Sequence, residues 1–593
     1  MTTSSPFKAA GINRRQSIQL GATGAAAALL ASGQTSGPAD AGDEPGPTTE
    51  PFVVSLVVRG PKAPVAALDP PSSTTSQSDR NECGRNPHQR RADWPANKFY
   101  SMTVREATHQ FHPSLPSQTI WGFDGMFPGP TFVERYGVPT IVRIHNALPA
   151  QPVGFGSPEI TTHLHNLHCG SESDGYTTDF YSSTKFGPTL TRAGSYMDYH
   201  YPHFYAGYDE PRYRATEGDP REALGTLWYH DHREGFTAPN CYRGLMGMYL
   251  LFDHIDSGDE RDTSAQALKL PSGVGVYDIP LMITDMQFDA SGHVVFDQFS
   301  TKGILGNKIC VNGKIQPKFS VQRRKYRLRL LDSSLSRFYE LYITDAAGVN
   351  QAMAHIANDG NLLPAPLTTT KVALGPAARG DVVIDFAKFA LGSKLYLVNR
   401  LIQDDGRGPE DEGTNVRDAR GNLRARGTQI LRFDIDSEAP QVMLANGQIT
   451  RDPSQVPARL RELPPIELNQ VVKTRAFRFD KQNEVWSVNG KLFDYSRPTA
   501  TVKKNTAEIW ELEGNGSWHH PVHIHMEEFR ILSRNGKPPP PHEAGRKDVV
   551  VVHPGERVRV FIRFRDFTGK YMMHCHNLTH EDHAMMIRFD IVD

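Results

Sequence analysis

Cysteine is scarce, with five in 593 residues, too few for a fold built on disulfides. Neither sign of charge is in excess: 65 basic against 66 acidic residues leave a net charge of −1. That balance removes the electrostatic reason to expect nucleic acid or an anionic membrane as partner. No stretch combines helical periodicity with the length of a bundle helix, which excludes an all-α architecture. The apolar run near the start, Ile18 to Ala31, is too short and too weakly apolar to be a membrane anchor. It follows paired Arg14 and Arg15 and precedes Ala39-Asp40-Ala41. Residues 1–41 therefore read as a twin-arginine export signal, which implies the twin-arginine machinery as a partner and a periplasmic or extracellular mature protein.

What is present is strand grammar. I-V-R-I-H-N (141 to 146), D-V-V-I-D-F (381 to 386) and V-R-V-F-I-R-F (558 to 564) are short, β-branched and partly alternating. K-Y-R-L-R-L-L (325 to 331) alternates too, and its Lys325, Arg327 and Arg329 face is expected to be solvated. A faint repeat recurs as F-D-G-M-F-P-G-P (123 to 130), V-N-G-K-I-Q-P (311 to 317) and V-N-G-K-L-F-D (488 to 494). Three similar all-β units follow, read as Greek-key β-sandwiches. Their expected bounds are 95–256, 265–437 and 471–593, with a spacer and N-terminal extension over 42–94 and a linker over 438–470.

Histidine carries the chemistry. Four His-x-His pairs stand at His163/His165, His230/His232, His523/His525 and His574/His576, and the last brackets Cys575. His580 and Met585 follow that cysteine. A thiolate, imidazoles and a distant thioether are the ligand set of a blue-copper electron-transfer site. The missing imidazole lies in G-S-W-H-H-P-V-H-I-H, as His519 or His520. In an extended strand Cys575 faces one side and its two neighbours the other. The eight paired imidazoles suffice for a cluster of three further ions, two held by three histidines and one by two. The pairs lie only in the first and third units, so the cluster is expected between them, with the second unit as a spacer. Of the other cysteines, Cys83, Cys169, Cys241 and Cys310, the second and third each follow a His-x-His pair and are expected near one another; pairing and full reduction both stay open.

With T-L-W-Y-H-D-H (226 to 232), C-Y-R-G-L-M-G-M-Y-L (241 to 250), D-G-N-L-L-P-A-P (359 to 366) and H-C-H-N-L-T-H-E-D-H-A-M-M (574 to 586), the chain resembles three-domain multicopper oxidases. Bacterial laccases, spore-coat laccases and bilirubin oxidases are the most similar. The resemblance runs from about residue 95 onward and implies three cupredoxin-like domains, four copper ions, O2 and a small reducing substrate. It assigns the blue site to His520, Cys575, His580 and Met585, and the lone cluster ion to His163 and His523. His165, His230 and His574 would hold one paired ion, and His232, His525 and His576 the other. Glu581 matches a glutamate that feeds protons in related laccases, and Asp174 matches an acidic position near the lone copper, so both are expected to serve the proton supply. Met585 implies a moderate reduction potential. The sequence departs from the family after His165, where Asn166-Leu167-His168-Cys169 replaces the usual glycine; His168 and His583 are expected outside the ligand set.

Phenols, aromatic amines or bilirubin-like tetrapyrroles are the expected donors, taken up on loops around His520 and His580 to which residues 538 to 543 could contribute. The charged segment 403 to 427 is expected to be a solvated loop. The alternative is a metal-ion oxidase. Only 15 methionines and no methionine-rich insert argue against Cu(I), while Glu527 and Glu528 leave Mn(II) open. A non-catalytic exported scaffold of this fold would have lost its copper ligands, and here all twelve positions are filled. A monomer is expected.

Overall fold

The computed structural model describes residues 46–410, 427–482 and 485–593. The expected export signal, residues 1–41, and most of the charged segment 403 to 427 lie outside the described residues. Three pairs of β-sheets follow one another along the chain, each a cupredoxin-like β-sandwich. The first runs from strand Lys98–His109 to Met246–Phe252, the second from Asp278–Met286 to Thr428–Glu438, the third from Val471–Gln482 to Met586–Val592. Among the described residues no helix is long and apolar enough to cross a membrane.

The sequence repeat marks the same structural event three times. In each sandwich the opening strand pairs antiparallel with a short strand before a turn and parallel with a later one. The turns are Asp124-Gly125, Asn312-Gly313 and Asn489-Gly490, and all six residues have positive φ. Two successive left-handed residues define the tight turn whose twist suits a hairpin, and Asn-Gly or Asp-Gly are the pairs that adopt it at least cost.

Each sandwich encloses its own apolar core. A fourth cluster is shared: Trp228 and Met246 of the first sandwich, Met282 and Leu331 of the second, Val549 and Leu578 of the third. Burial of such side chains stabilises by about 1.5–3 kcal/mol each, so the shared cluster holds the three units in one register. The N-terminal extension is paired as well: Phe52 donates its N–H to Gln316 O, Val65 to Phe99 O and Cys83 to Tyr196 O.

The alternating arginines do not face water. Arg327 and Arg329 are 1% and 0% exposed. Arg327 pairs with Asp256 and Asp381, and Arg329 grips Asp278 through two bonds of 2.7 Å. Alternation revealed a second face but not its cover, which is the first sandwich. Nor do Cys169 and Cys241 meet: all five cysteines are free and buried, Cys169 beside Cys83 in one core and Cys241 beside Cys310 in another.

Candidate metal centre

Two antiparallel strand pairs deliver the four His-x-His motifs. Thr162–His165 lies against Thr226–Asp231 with His163 opposite His230, and His520–Ile524 lies against Gly569–Cys575 with His523 opposite His574. Period-two alternation turns both histidines of each pair to one face, and the two faces meet. All eight imidazoles are buried; His163 stacks on His525 at 3.9 Å between ring centroids, and His165 on His523 at 3.7 Å. The close approach needs Gly175, at φ +81°, where a Cβ would stand 2.3 Å from Thr162 O and 2.6 Å from His163 Cα.

Most of these rings are held through one nitrogen by a backbone carbonyl or a carboxylate. His163 Nδ1 bonds Asp174 O, His523 Nδ1 donates to Asp548 O at 2.9 Å, and His230 Nδ1 to Asp231 O at 2.8 Å. His525 Nδ1 meets Asp174 Oδ2 at 2.8 Å, and His165 Nε2 meets Asp548 Oδ1 at 3.1 Å. The opposite nitrogens of His163, His165, His230 and His523, Nδ1 of His232 and both nitrogens of His576 have no partner. Buried polar groups are paired almost without exception, so this convergence of orphaned acceptors fits a set of cations. Burial holds His163, His165, His523, His525 and His576 well below the ordinary imidazole range, His230 at about 3 and His232 at about 4. Neutral imidazole is the form that binds metal.

The grouping corrects one expectation. His574, not His576, joins His232 and His525: its Nε2 lies 3.2 Å from each of their Nε2 atoms. The ring of His576 instead sits 5.3 Å from that of His165 and 5.4 Å from that of His230. Register is the reason. His574 is fixed opposite His523, and two residues further along a strand move a side chain about 6–7 Å, toward the end where Trp228 and His165 lie. His163, His523 and His525 also stand within 4.8 Å of one another.

On the other face of the strand, Cys575 Sγ lies 3.5 Å from His520 Nδ1 and 3.6 Å from His580 Nδ1. Cys575 N–H donates to Met585 O at 3.1 Å, which seats the buried Met585 beside it. His580 begins no strand; it sits in the short helix Leu578–Asp582, whose N-cap is Asn577. Its Nε2 donates to Lys302 O at 3.4 Å. Trp486 stacks on His580 at 3.7 Å and donates Nε1–H to Thr301 O at 2.6 Å. Trp518 stands edge-on to both rings. Lys481 Nζ lies 5.0 Å from the Trp486 ring and 5.3 Å from that of Trp518, and Arg407 Cζ lies 5.7 Å from Trp518. The backbone of Arg407 accepts from His519 N–H at 2.8 Å. The described start of the segment 403 to 427 thus borders this site through its backbone, while Asp404, Asp405, Arg407 and Glu410 are exposed, as expected of a solvated loop. His519 points toward that segment and His553, leaving His520 at the sulfur.

Both expected acids reach the cluster. Glu581 Oε2 lies 2.8 Å from His574 Nδ1, and Oε1 lies 3.7 Å from His232 Nε2. Asp174 meets His525 and His163 as above. Their environments push them apart: burial, reinforced by the Glu172 and Asp179 carboxylates, holds Asp174 well above the carboxylate range, whereas for Glu581 the neighbouring His574 and His232 rings outweigh burial and lower it. Asn166 adopts φ +73°, the left-handed region that favours glycine, and its amide bonds Glu528. His168 is buried, with Nε2 2.8 Å from Asp566 Oδ2, and His583 donates to Thr579 O. Glu527 pairs with Arg565 and Glu528 with Arg546, while Glu543 of the proline-rich stretch pairs with Arg534. Sequence reasoning passed over Asp548, Trp486, Trp518 and Lys481; only Asp548, a lone acid opening the apolar strand Val549–Val552, left a signal.

The multicopper oxidase family model matches residues 465–593. A bilirubin oxidase of Albifimbria verrucaria is 35% identical over 503 residues, covering 83% of this chain and 76% of that protein. A laccase of Bacillus subtilis is 30% identical over 546 residues, covering 84% of this chain and 94% of its own. In fold, the chain is similar to the multicopper oxidase McoA of Aquifex aeolicus, with a TM-score of 0.64 at 24% identity over 84% of this chain and 97% of that one. Buried histidines on both sides of a Cys-bearing strand, within three sandwiches and beside such relatives, make one conclusion: the chain belongs to the multicopper oxidases, copper-dependent enzymes that draw electrons from a reducing substrate to reduce O2.

Proposed function

We propose that the protein is a laccase-like oxidase of phenolic, aromatic amine or bilirubin-like donors, holding four copper ions. His520, Cys575 and His580 would hold the blue ion, with the Met585 thioether as a weak fourth ligand. His163 and His523 would hold the lone ion of the cluster; His165, His230 and His576 one of the pair; His232, His525 and His574 the other. Bound copper supplies one-electron steps at the blue site and a four-electron conversion of O2 and four protons into two waters at the cluster.

The chain's own part follows from its geometry. Cys575 joins the two sites covalently, because its neighbours His574 and His576 turn into the cluster while its sulfur faces His520 and His580. Glu581 and Asp174 serve proton delivery: Asp174, whose pKa burial raises, meets His525, and Glu581, whose pKa the neighbouring imidazoles lower, meets His574. Groups with opposed proton affinities divide donor and acceptor roles. Trp486 keeps water from the face of His580. Trp518, Lys481 and Arg407 offer an aromatic edge and two cations to a donor, a surface that suits electron-rich or anionic aromatics. Glu527 and Glu528 are engaged by arginines, which favours an organic donor over Mn(II). The mature protein acts beyond the inner membrane, in the periplasm or outside the cell, a reading supported by Arg14-Arg15 and Ala39-Asp40-Ala41.

The observation that carries this is the convergence of unpartnered imidazole nitrogens on one side of the Cys575 strand, with His520 and His580 gathered at the cysteine sulfur on the other. Oxygen uptake by copper-loaded protein on a substituted phenol, bilirubin, Mn(II) and Cu(I), with Cys575→Ser as blank, tests it. Turnover on the organic donors, abolished in the blank, is expected. Turnover on a metal ion alone would transfer the protein to the metal oxidases, and no uptake on any donor would sink the proposal.

A further inference from the structure

The second sandwich contributes no histidine to either site, yet one of its side chains reaches the cluster's supports. Arg379, 1% exposed, lies in strand Arg379–Asp385. Its guanidinium takes Asp548 in a two-pronged grip, Nη1 to Oδ1 at 2.7 Å and Nη2 to Oδ2. Nε donates to Thr226 O at 3.1 Å, Nη1 to Ala377 O at 3.1 Å and Nη2 to Asp359 O at 3.0 Å. Every donor of the fork is used, on three sandwiches at once. Asp548 supports two of the cluster's histidines, meeting His165 Nε2 through its carboxylate and His523 Nδ1 through its carbonyl. Thr226 opens the strand that carries His230 and His232.

The same point is clasped twice more. Thr226 Oγ1 donates to Asp381 at 2.9 Å and accepts from Arg329 Nη1 at 2.7 Å. Gly360, at φ +84°, lets the second sandwich approach so closely that a Cβ there would stand 2.8 Å from Thr226 O. The buried arginine face described above is part of this clasp.

We infer that Arg379 is a positioning residue for the cluster: it orients Asp548 so that His165 is held through Nε2 and presents Nδ1, and it locks the His230/His232 strand to the His523/His525 strand. The planar fork matters, since a point charge cannot grip a carboxylate in two places and reach two carbonyls. The middle sandwich is thereby a working part of the O2-reducing site and no mere spacer. Outer partners that fix ligand histidines are worth about 10–100-fold in metal affinity or activity.

This rests on the copper reading above, and the test separates the two. Full-length wild type, Arg379→Met, Arg379→Lys and Asp548→Asn are loaded with copper. Stoichiometry, the blue absorption band and the loss of cluster copper to a graded chelator are then followed. Wild type should hold four ions; if it shows no cluster copper, the copper reading itself fails. Arg379→Met is expected to keep the blue band and to release cluster copper at about 10–100-fold lower chelator concentration, with Arg379→Lys between the two and Asp548→Asn resembling Arg379→Met. Wild-type retention of cluster copper in either Arg379→Met or Asp548→Asn would overturn the inference. Loss of the blue band in all three variants would also overturn it, by making Arg379 a folding residue only.

Discussion

The two metal-ligand constellations share strand Gly569–Cys575 and differ in what holds them. The Cys575 site draws all its expected ligands, His520, Cys575, His580 and Met585, from one sandwich, beside the core that holds Trp486 and Trp518, and takes only outer contacts such as Lys302 O and Thr301 O from the second. The eight-histidine site exists only between sandwiches, two of which supply ligands while the third supplies the arginine that clasps their supports. A site inside one core inherits that core's stability. A site at an interface depends on docking, since interfaces open before cores do. The site at Cys575 is therefore expected to tolerate disturbance better than the histidine cluster between the sandwiches.

The sharpest way to break this contrast is Gly175→Ala. A Cβ at that residue meets the Thr162 carbonyl and His163 backbone at a positive φ, so His163 must shift. Cluster copper and O2 uptake are expected to vanish while the blue band persists; loss of the blue band alone would invert the comparison. Glu581→Gln leaves the ligand count untouched and removes a carboxylate from His574 and His232. A fall in turnover of about a hundredfold, with copper content and blue band unchanged, is the expected result, and wild-type turnover would remove Glu581 from the proton path. The smallest effect belongs to the docking contact His168–Asp566. Burial disfavours the imidazolium, but Glu527 and Asp566 outweigh it and hold the pKa above its ordinary value, while Asp566 falls to about 2. A raised folded pKa gives stability that is complete below the unfolded value, about 6.5, and fades as pH rises through the folded one. His168→Gln should therefore cost about 1–2 kcal/mol near pH 6 and progressively less in alkaline solution. Thermal melts of both proteins across that range measure it, and a constant difference would show that the charge is irrelevant.

Much of the site was legible because metal ligands follow short-range geometry. His-x-His on a strand needs only i and i+2, and the Cys575–His580–Met585 spacing is closed within one sandwich. The three sandwiches were legible through Asn-Gly and Asp-Gly turns. What escaped depends on docking. Whether His574 or His576 joins His232 is set by the register of Gly569–Cys575 against His520–Ile524, which no spacing records. The fate of Arg327, Arg329 and Arg379 depends on what covers their strands. Asn166 shows the opposite case, a departure from glycine that its positive φ and its bond to Glu528 make intelligible only in three dimensions.

The indole rings carry one more consequence. Trp486 lies flat on His580, and Trp228 lies flat on His230 at 4.3 Å, so each metal site has its own fluorophore pressed against a ligand ring. Copper in van der Waals reach of an excited indole drains its emission. With Trp486→Phe and Trp228→Phe to separate the two signals, the order in which the sites fill can be read optically from the unlabelled protein, one ion population at a time.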